Sequence, residues 1–249
     1  MPAARSHGAW ARFHAALISP TMSRLADARG LREKRCRILR EAGGRTLELH
    51  GFGTGRNLGL YPATVTELVL LESPHHIDDA LPRVLSAHGG NARLLEAPGT
   101  SLPFEDRSFD TVVTTLALCF VPDLGAMIAE IVRVLRPKGR FLFLEHVRSP
   151  SPRLAHWQDR LAALWRAVAV GCHCERDTLA SIEASPLAIE WVERGQLRGF
   201  PPLVRPLVMG AAVRAGGAAS RVPTGVISAR AAPDRAVTEL GGPRRSSRS

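Results

Sequence analysis

The sequence predicts an α/β domain on a largely parallel sheet, and three observations predict it. From Thr46 onward, short apolar segments alternate with longer segments whose apolar residues recur at helical spacing. The first apolar segment, Thr46–His50, runs directly into glycines at alternate positions, Gly51, Gly53 and Gly55. Hydrophobic residues make up 45% of the 249, enough for one substantial core but with no run long enough to cross a membrane. A doubly wound sheet of this type puts its ligand crevice beyond the carboxyl ends of the strands.

The elements follow in order. Residues 1–40 read as basic N-terminal helices: Trp10, Phe13, Leu17, Leu25, Leu31, Ile38 and Leu39 recur at roughly helical spacing among arginines, and Pro20 divides the run. Thr46–His50, Glu67–Glu72, Arg93–Leu95, Phe109–Thr114 and Phe141–Val147 are short and apolar, as expected of strands covered on both faces. His76–Ala87 and Leu124–Leu135 read as helices, the second stopped by Pro137-Lys138-Gly139. After a turn at Arg148–Arg153, the residues Leu154, Trp157, Leu161, Leu164, Trp165 and Val168 form one apolar helix face, read first as buried packing and alternatively as contact with an apolar acceptor or a membrane surface. Leu187–Val192 and Leu203–Val213 read as further strands. Residues 214–249 are Gly, Ala, Ser, Pro and Arg without periodicity, which reads as a disordered basic tail.

The net charge of +10 is unevenly placed. Residues 1–40 hold nine basic and two acidic side chains and residues 214–249 hold seven and two, so the 33 basic and 23 acidic residues of the chain leave 17 and 19 for residues 41–213. Aromatic residues are too few at the basic ends for nucleic-acid stacking, and no specific nucleic-acid partner is expected. Charge alone leaves open whether the basic segments attract an anionic substrate or make peripheral contact with a membrane. Four scattered cysteines suggest no disulfide framework, and Arg5, His7, Arg12 and His14 interrupt any signal-peptide centre, so a cytoplasmic location is expected. Cys172-His173-Cys174 is too compressed for a tetrahedral zinc site, and no metal is expected.

The segment Glu48-Leu49-His50-Gly51-Phe52-Gly53-Thr54-Gly55-Arg56-Asn57 is the most informative. Neither register of its glycines gives the G-x-G-x-x-G of dinucleotide enzymes, because Arg56 or Leu58 falls where the third glycine belongs. Glu72 ends the next strand, where a carboxylate can accept both ribose hydroxyls of a nucleoside; a surface carboxylate closing a strand is the plainer alternative.

The alternating G-x-G-x-G after a strand resembles motif I of the class I S-adenosylmethionine-dependent methyltransferases. Ser101–Leu118 is similar to the segment that precedes and forms their fourth strand, and Glu130–Arg140 resembles their following helix-to-strand block. Glu145-His146, Trp157-Gln158-Asp159, Gly171-Cys172-His173 and Arg205–Gly210 resemble bacterial relatives of the alkyl-thiol methyltransferase group. The resemblance covers about residues 10–213 and implies a Rossmann-like fold for residues 41–213: a doubly wound, mostly parallel seven-stranded sheet with an antiparallel last strand. It implies S-adenosylmethionine as cofactor, bound by Glu48, His50, Gly51, Phe52, Gly53, Thr54, Gly55, Asn57, Glu72, Ser73, Thr115 and Leu116, and a small-molecule or lipid acceptor: a thiol, a quinone or a lipid amine.

Methyl transfer from a sulfonium is an in-line displacement that needs alignment and a dry site more than a triad. If the acceptor must lose a proton, His146 with Glu145 is the first catalytic candidate and His173 with Asp177 the second, a hydrogen-bonded loop histidine being the alternative in each case. Two departures from the family pattern stand out. His50 lies between Glu48 and the first glycine, so either a bulge restores the carboxylate's aim or the cofactor's amino group finds another partner. Pro98 stands where the family often has an acid for the adenine. Both keep in view a non-catalytic protein that retains the fold.

Overall fold

The computed structural model describes residues 19–49, 55–72, 81, 85, 91–97 and 101–215. Seven strands form one sheet: β1 Gly44–Leu49, β2 Val65–Glu72, β3 Ala92–Glu96, β4 Phe109–Thr115, β5 Leu135–His146, β6 Leu187–Gln196 and β7 Pro206–Arg214, in the spatial order β3-β2-β1-β4-β5-β7-β6. The pairs β1–β2, β1–β4, β2–β3 and β4–β5 are parallel, and β7 runs antiparallel to both β5 and β6. This is the class I topology, with only the last strand reversed.

Two apolar layers cover the sheet. On one face, Phe109, Phe141 and Phe143 pack with Met127, Ile128 and Ile131 of α3 (Leu124–Val134) and with Leu179 and Ile182 of α5 (Thr178–Glu183). On the other, Leu142, Leu144 and Met209 pack with Ala26 of α1 (Ser19–Ala26), with Ile38 and Leu39 of α2 (Arg32–Leu39), and with Cys119 and Cys172. Pro20 falls in the first turn of α1, where its missing N–H leaves no bond unmade. The break between the two helices comes instead at Gly30, whose φ of +97° suits a residue without a β-carbon.

Most strands match the apolar runs to within a residue or two. β5 differs: Leu135 already pairs with Phe109, the chain loops outward over 136–139, and pairing resumes at Arg140 opposite Thr111. Pro137-Lys138-Gly139 is thus an excursion within the strand, with Lys138 at φ +65°. β7 starts at Pro206 rather than Leu203, because Pro202–Val204 form a 3-10 turn closed by Val204 N–H donating to the Pro201 carbonyl. β6 extends to Gln196 because its backbone pairs with β7 down to Pro206.

The helix α4 (Pro152–Val168) corrects the first reading of its apolar face in part. It buries Ala155, Gln158 and Ala162, while Trp157, Leu164 and Val168 are exposed. Gln158 is fully buried and satisfied: Oε1 accepts from Ser149 N, and Nε2 donates to the carbonyls of Val147, Cys174 and Leu203. A polar residue therefore locks the inner face of α4; Trp165 packs against the core and Leu154 and Leu161 are half-buried, while Trp157, Leu164 and Val168 look outward. The expected helix His76–Ala87 lies, except for the helical Leu81 and Leu85, outside the described residues, as do residues 1–18 and the tail beyond Ala215.

Candidate active site

Glu48 is buried at the carboxyl end of β1 between β2 and β4. Its Oε1 accepts from Asn57 Nδ2 at 2.8 Å and its Oε2 from Tyr61 Oη at 2.7 Å. The same Asn57 amide donates to Thr115 Oγ1 at 2.9 Å, which ties the turn after the glycines to the end of β4. Burial raises the Glu48 carboxyl above its ordinary range, and the bonds from Tyr61 and Asn57 and the nearby Arg35 oppose that rise. The pairing of β1 is regular from Arg45 to Leu49, its one irregularity lying at Gly44/Arg45, so no bulge re-aims Glu48 within the described strand. Asn57 is itself buried, and its Oδ1 has no hydrogen-bond partner among the described residues.

Glu72 ends β2, buried, next to Glu96 of β3; its carbonyl accepts from Ala97 N at 3.1 Å. Leu116, immediately after β4, sits at φ +55° with its N–H donated to the Leu144 carbonyl at 2.7 Å. That bond turns the chain out of the sheet at the end of β4. Three adjacent strand ends thus carry Glu48, Glu72 and the Thr115–Leu116 corner, the crevice position expected of a doubly wound sheet.

Glu145 and His146 occupy opposite faces of β5. The Glu145 oxygens accept from the backbone N–H groups of Ala117 and Leu118, each at 3.2 Å, so the carboxyl fastens the segment after β4. Burial pushes it up to about 7. His146 is buried opposite Leu207 of β7; burial pushes its imidazole down to about 4, and the carbonyls of Val204 and Pro206 offset this only in part. An imidazole in that environment is neutral at pH 7 and a weak base. Cys119 and Cys172 are buried free thiols, and Cys119 Sγ donates to the Leu116 carbonyl at 3.7 Å. His173 Nδ1 lies 3.0 Å from Glu175, while Asp177 caps α5 by accepting from Ala180 N, so His173 is paired with Glu175 rather than Asp177. No group of three or more His, Cys, Asp or Glu side chains among the described residues is placed to hold a metal ion.

Comparison with known proteins bears on this arrangement. Residues 47–143 match the methyltransferase domain family. The chain is 35% identical over 176 residues to human thiol S-methyltransferase TMT1B, an alignment covering 68% of this chain and 70% of that protein. The chain belongs to the class I S-adenosylmethionine-dependent methyltransferases. A shorter match, 39% identity over 71 residues, covers 28% of the chain and 26% of the ubiquinone/menaquinone biosynthesis C-methyltransferase UbiE of Bartonella tribocorum. The crystal structure of YcgJ from Bacillus subtilis shares the fold, with a TM-score of 0.58 at 18% identity over 75% of this chain and 100% of that one.

The cofactor of this methyltransferase is S-adenosylmethionine, and the buried strand-end residues suit it: two carboxylates for a ligand rich in hydroxyl and ammonium donors, beside an orphaned acceptor on Asn57. Of the residues named from sequence, Glu48, Asn57 and Thr115 are hydrogen-bonded together, and Gly55, Glu72 and Leu116 lie on the described chain around the strand ends. His50, Gly51, Phe52, Gly53, Thr54 and Ser73, and also Pro98, lie outside the described residues.

Sequence reasoning missed Tyr61 and the Asp27 bridge of the methyltransferase. Asp27 accepts from Arg35 and from Arg56, each at 2.8 Å, and so fastens the N-terminal helices to the turn after Gly55. Two signals were available: Tyr61 is the single tyrosine of the chain, and Asp27 is one of only two acids in its first 40 residues.

Proposed function

We propose that this methyltransferase passes the methyl group of S-adenosylmethionine to a small, lipophilic thiol. The observation that carries the reading is the 35% identity over 176 residues to a thiol S-methyltransferase, against 71 residues shared with a quinone C-methyltransferase. The described side chains favour the same choice. His146 is held neutral and weakly basic, and both Glu145 oxygens are occupied by backbone amides, so neither is poised to deprotonate a reluctant acceptor. A thiol asks less of a base than a hydroxyl or a quinol carbon does, because it ionises far more readily than an alcohol and even a small thiolate fraction is intrinsically very nucleophilic.

In this reading Glu72 accepts the ribose hydroxyls, Asn57 Oδ1 accepts from the cofactor's ammonium group, and Glu48 with Tyr61 acts as a positioning pair that fixes the Asn57 amide. That division answers the displacement of Glu48 by His50, since the carboxylate's two oxygens are engaged by Asn57 and Tyr61. The bound cofactor supplies an electrophilic methyl group on a sulfonium. Glu145 holds the Ala117–Leu118 backbone, and through it the floor of the crevice, in place.

The test is label transfer. The full chain is incubated with methyl-labelled S-adenosylmethionine and, separately, a mercaptoalkanol, a quinol and a phosphatidylethanolamine, and the products are analysed by mass spectrometry. Label is expected in a thioether, at a rate that rises about tenfold per pH unit below the thiol's own ionisation. Label entering the quinol or the lipid amine but not the thiol overturns the assignment.

A further inference from the structure

An apolar stripe and a basic groove meet at one end of α4. Along the helix, Leu154, Trp157, Leu161, Leu164 and Val168 follow at steps of three and four residues and so share a face. Trp157 is 54% exposed, Leu164 63% and Val168 48%, whereas the inner face is closed by Ala155, Gln158 and Ala162. By the same spacing Arg153 and Arg160, both exposed, lie along the outer edge of the stripe. Neither forms an ion pair among the described residues. Arginines bordering an apolar face are the arrangement of a helix lying in a water–lipid interface, where the rings and alkyl groups enter the acyl boundary and the guanidinium groups stay among the headgroups.

Leu154, the first residue of the stripe, also lines an open groove of about 990 Å³ at the carboxyl edge of β5 and β6, bounded on its other side by the α1–α2 break at Gly30. Six cations line the groove against the carboxylates of Glu33 and Glu193. Arg37 is paired with Glu193, and Arg29 and Arg205 donate to the carbonyls of Gly199 and Phe200. Lys34, Arg194 and Arg198 have no ion-pair partner among the described residues. Cations left over in a groove that an apolar stripe enters match an anionic headgroup above an acyl layer.

We propose that α4 and this groove dock the protein on an anionic phospholipid surface, with the Trp157–Val168 stripe in the acyl boundary and Lys34, Arg194 and Arg198 on the headgroup phosphates. Docking through α4 and the groove is peripheral, with the helix lying along the surface, and no helix among the described residues is long and apolar enough to cross a bilayer. The proposal does not rest on the choice of acceptor, because it is read without methyl transfer.

The experiment is co-sedimentation of the full chain with sucrose-loaded vesicles of phosphatidylglycerol and phosphatidylcholine, and of phosphatidylcholine alone, at physiological salt. Binding to the mixed vesicles is expected, with at least a tenfold loss for Leu164→Asp and about a fivefold loss for each of Lys34→Ala, Arg194→Ala and Arg198→Ala. These side chains are at least partly exposed, so folding is preserved, and circular dichroism confirms it for each variant. Vesicle binding unchanged by Leu164→Asp and by the triple alanine variant would assign it to the basic chain ends and overturn the proposal. So would absence of binding to the mixed vesicles, or a lipid-free dimer that Leu164→Asp dissociates, since a second copy would then occupy the stripe.

Discussion

On opposite faces of one strand end, burial pushes the Glu145 carboxyl up to about 7 and the His146 imidazole down to about 4, and both shifts bear on stability. Relative to the ordinary values of 4.5 and 6.5, the folded chain holds a proton on Glu145 that the unfolded chain has released between about pH 4.5 and 7. The Glu145 contribution therefore falls as pH rises through that window. At His146 the unfolded chain binds the extra proton, so that contribution is present above 6.5 and is lost as pH falls towards 4. Each slope is about 1.4 kcal/mol per pH unit, of opposite sign, and the two cancel where they overlap, between 4.5 and 6.5. His146→Leu is expected to leave stability falling as pH rises through that interval, and Glu145→Gln to leave it rising. Urea unfolding at half-unit pH steps checks both, and parallel profiles for the two variants would mean that the pair does not set the pH response.

Among the elements, β7 is constrained from both sides, because it lies between β5 and β6 and pairs antiparallel with each. Gly210 pairs with Phe143 on one side and Val192 on the other. A β-carbon there would stand 2.5 Å from the Trp191 carbonyl oxygen and 2.7 Å from Phe143 Cζ, and a backbone atom of a neighbouring strand cannot move aside alone. Gly210→Ala is expected to cost about 1–3 kcal/mol, while Gly59→Ala, which meets nothing within 4 Å, stays within about 0.5 kcal/mol of the parent in the same urea titration. Nothing in the sequence around Gly210 announces this, since the contact is made by residues far away in the chain. The central strands β1, β2, β4 and β5 were legible because buried parallel strands are apolar on both faces. Strand ends were not: Glu193–Gln196 continue β6 through backbone pairing that polar side chains do not betray, and Pro137-Lys138-Gly139 imitates a stop although Leu135 is already paired. The site divides the same way. Glu48, Asn57 and Thr115 could be named from motif spacing, whereas Tyr61 and Asp27 matter only through partners that folding brings to them.

At the scale of the whole molecule, the fold pairs charges of the middle of the chain with one another and leaves the net excess to residues 1–40 and 214–249. Arg45 meets Glu67, Arg140 meets Glu41 and Glu190, and Arg133 meets Asp106 as well as Glu130 of its own helix, so arginines of the slightly acidic middle of the chain are paired, most of them across elements. At the strand ends the core carries two buried acids, Glu48 and Glu72, and the sequence that follows β1 has the 51-53-55 glycine pattern and not the dinucleotide one. A carboxylate at the end of β2 would suit the ribose of either nucleoside cofactor, so under the proposed roles it is the glycine pattern and the Asn57 acceptor that would separate them. A ligand that binds only the folded chain stabilises it by about 2.7 kcal/mol at a hundred times its dissociation constant. For a domain of this size that corresponds to about 5–10 °C. S-adenosylmethionine and its demethylated product are each expected to raise the melting temperature by that amount, NAD to leave it unchanged, and Glu72→Ala to remove most of the rise by withdrawing the ribose acceptor. Differential scanning fluorimetry reads all four, and an equal rise with NAD would show that the crevice recognises the adenosine they share and not the amino-acid end that Asn57 is assigned to hold.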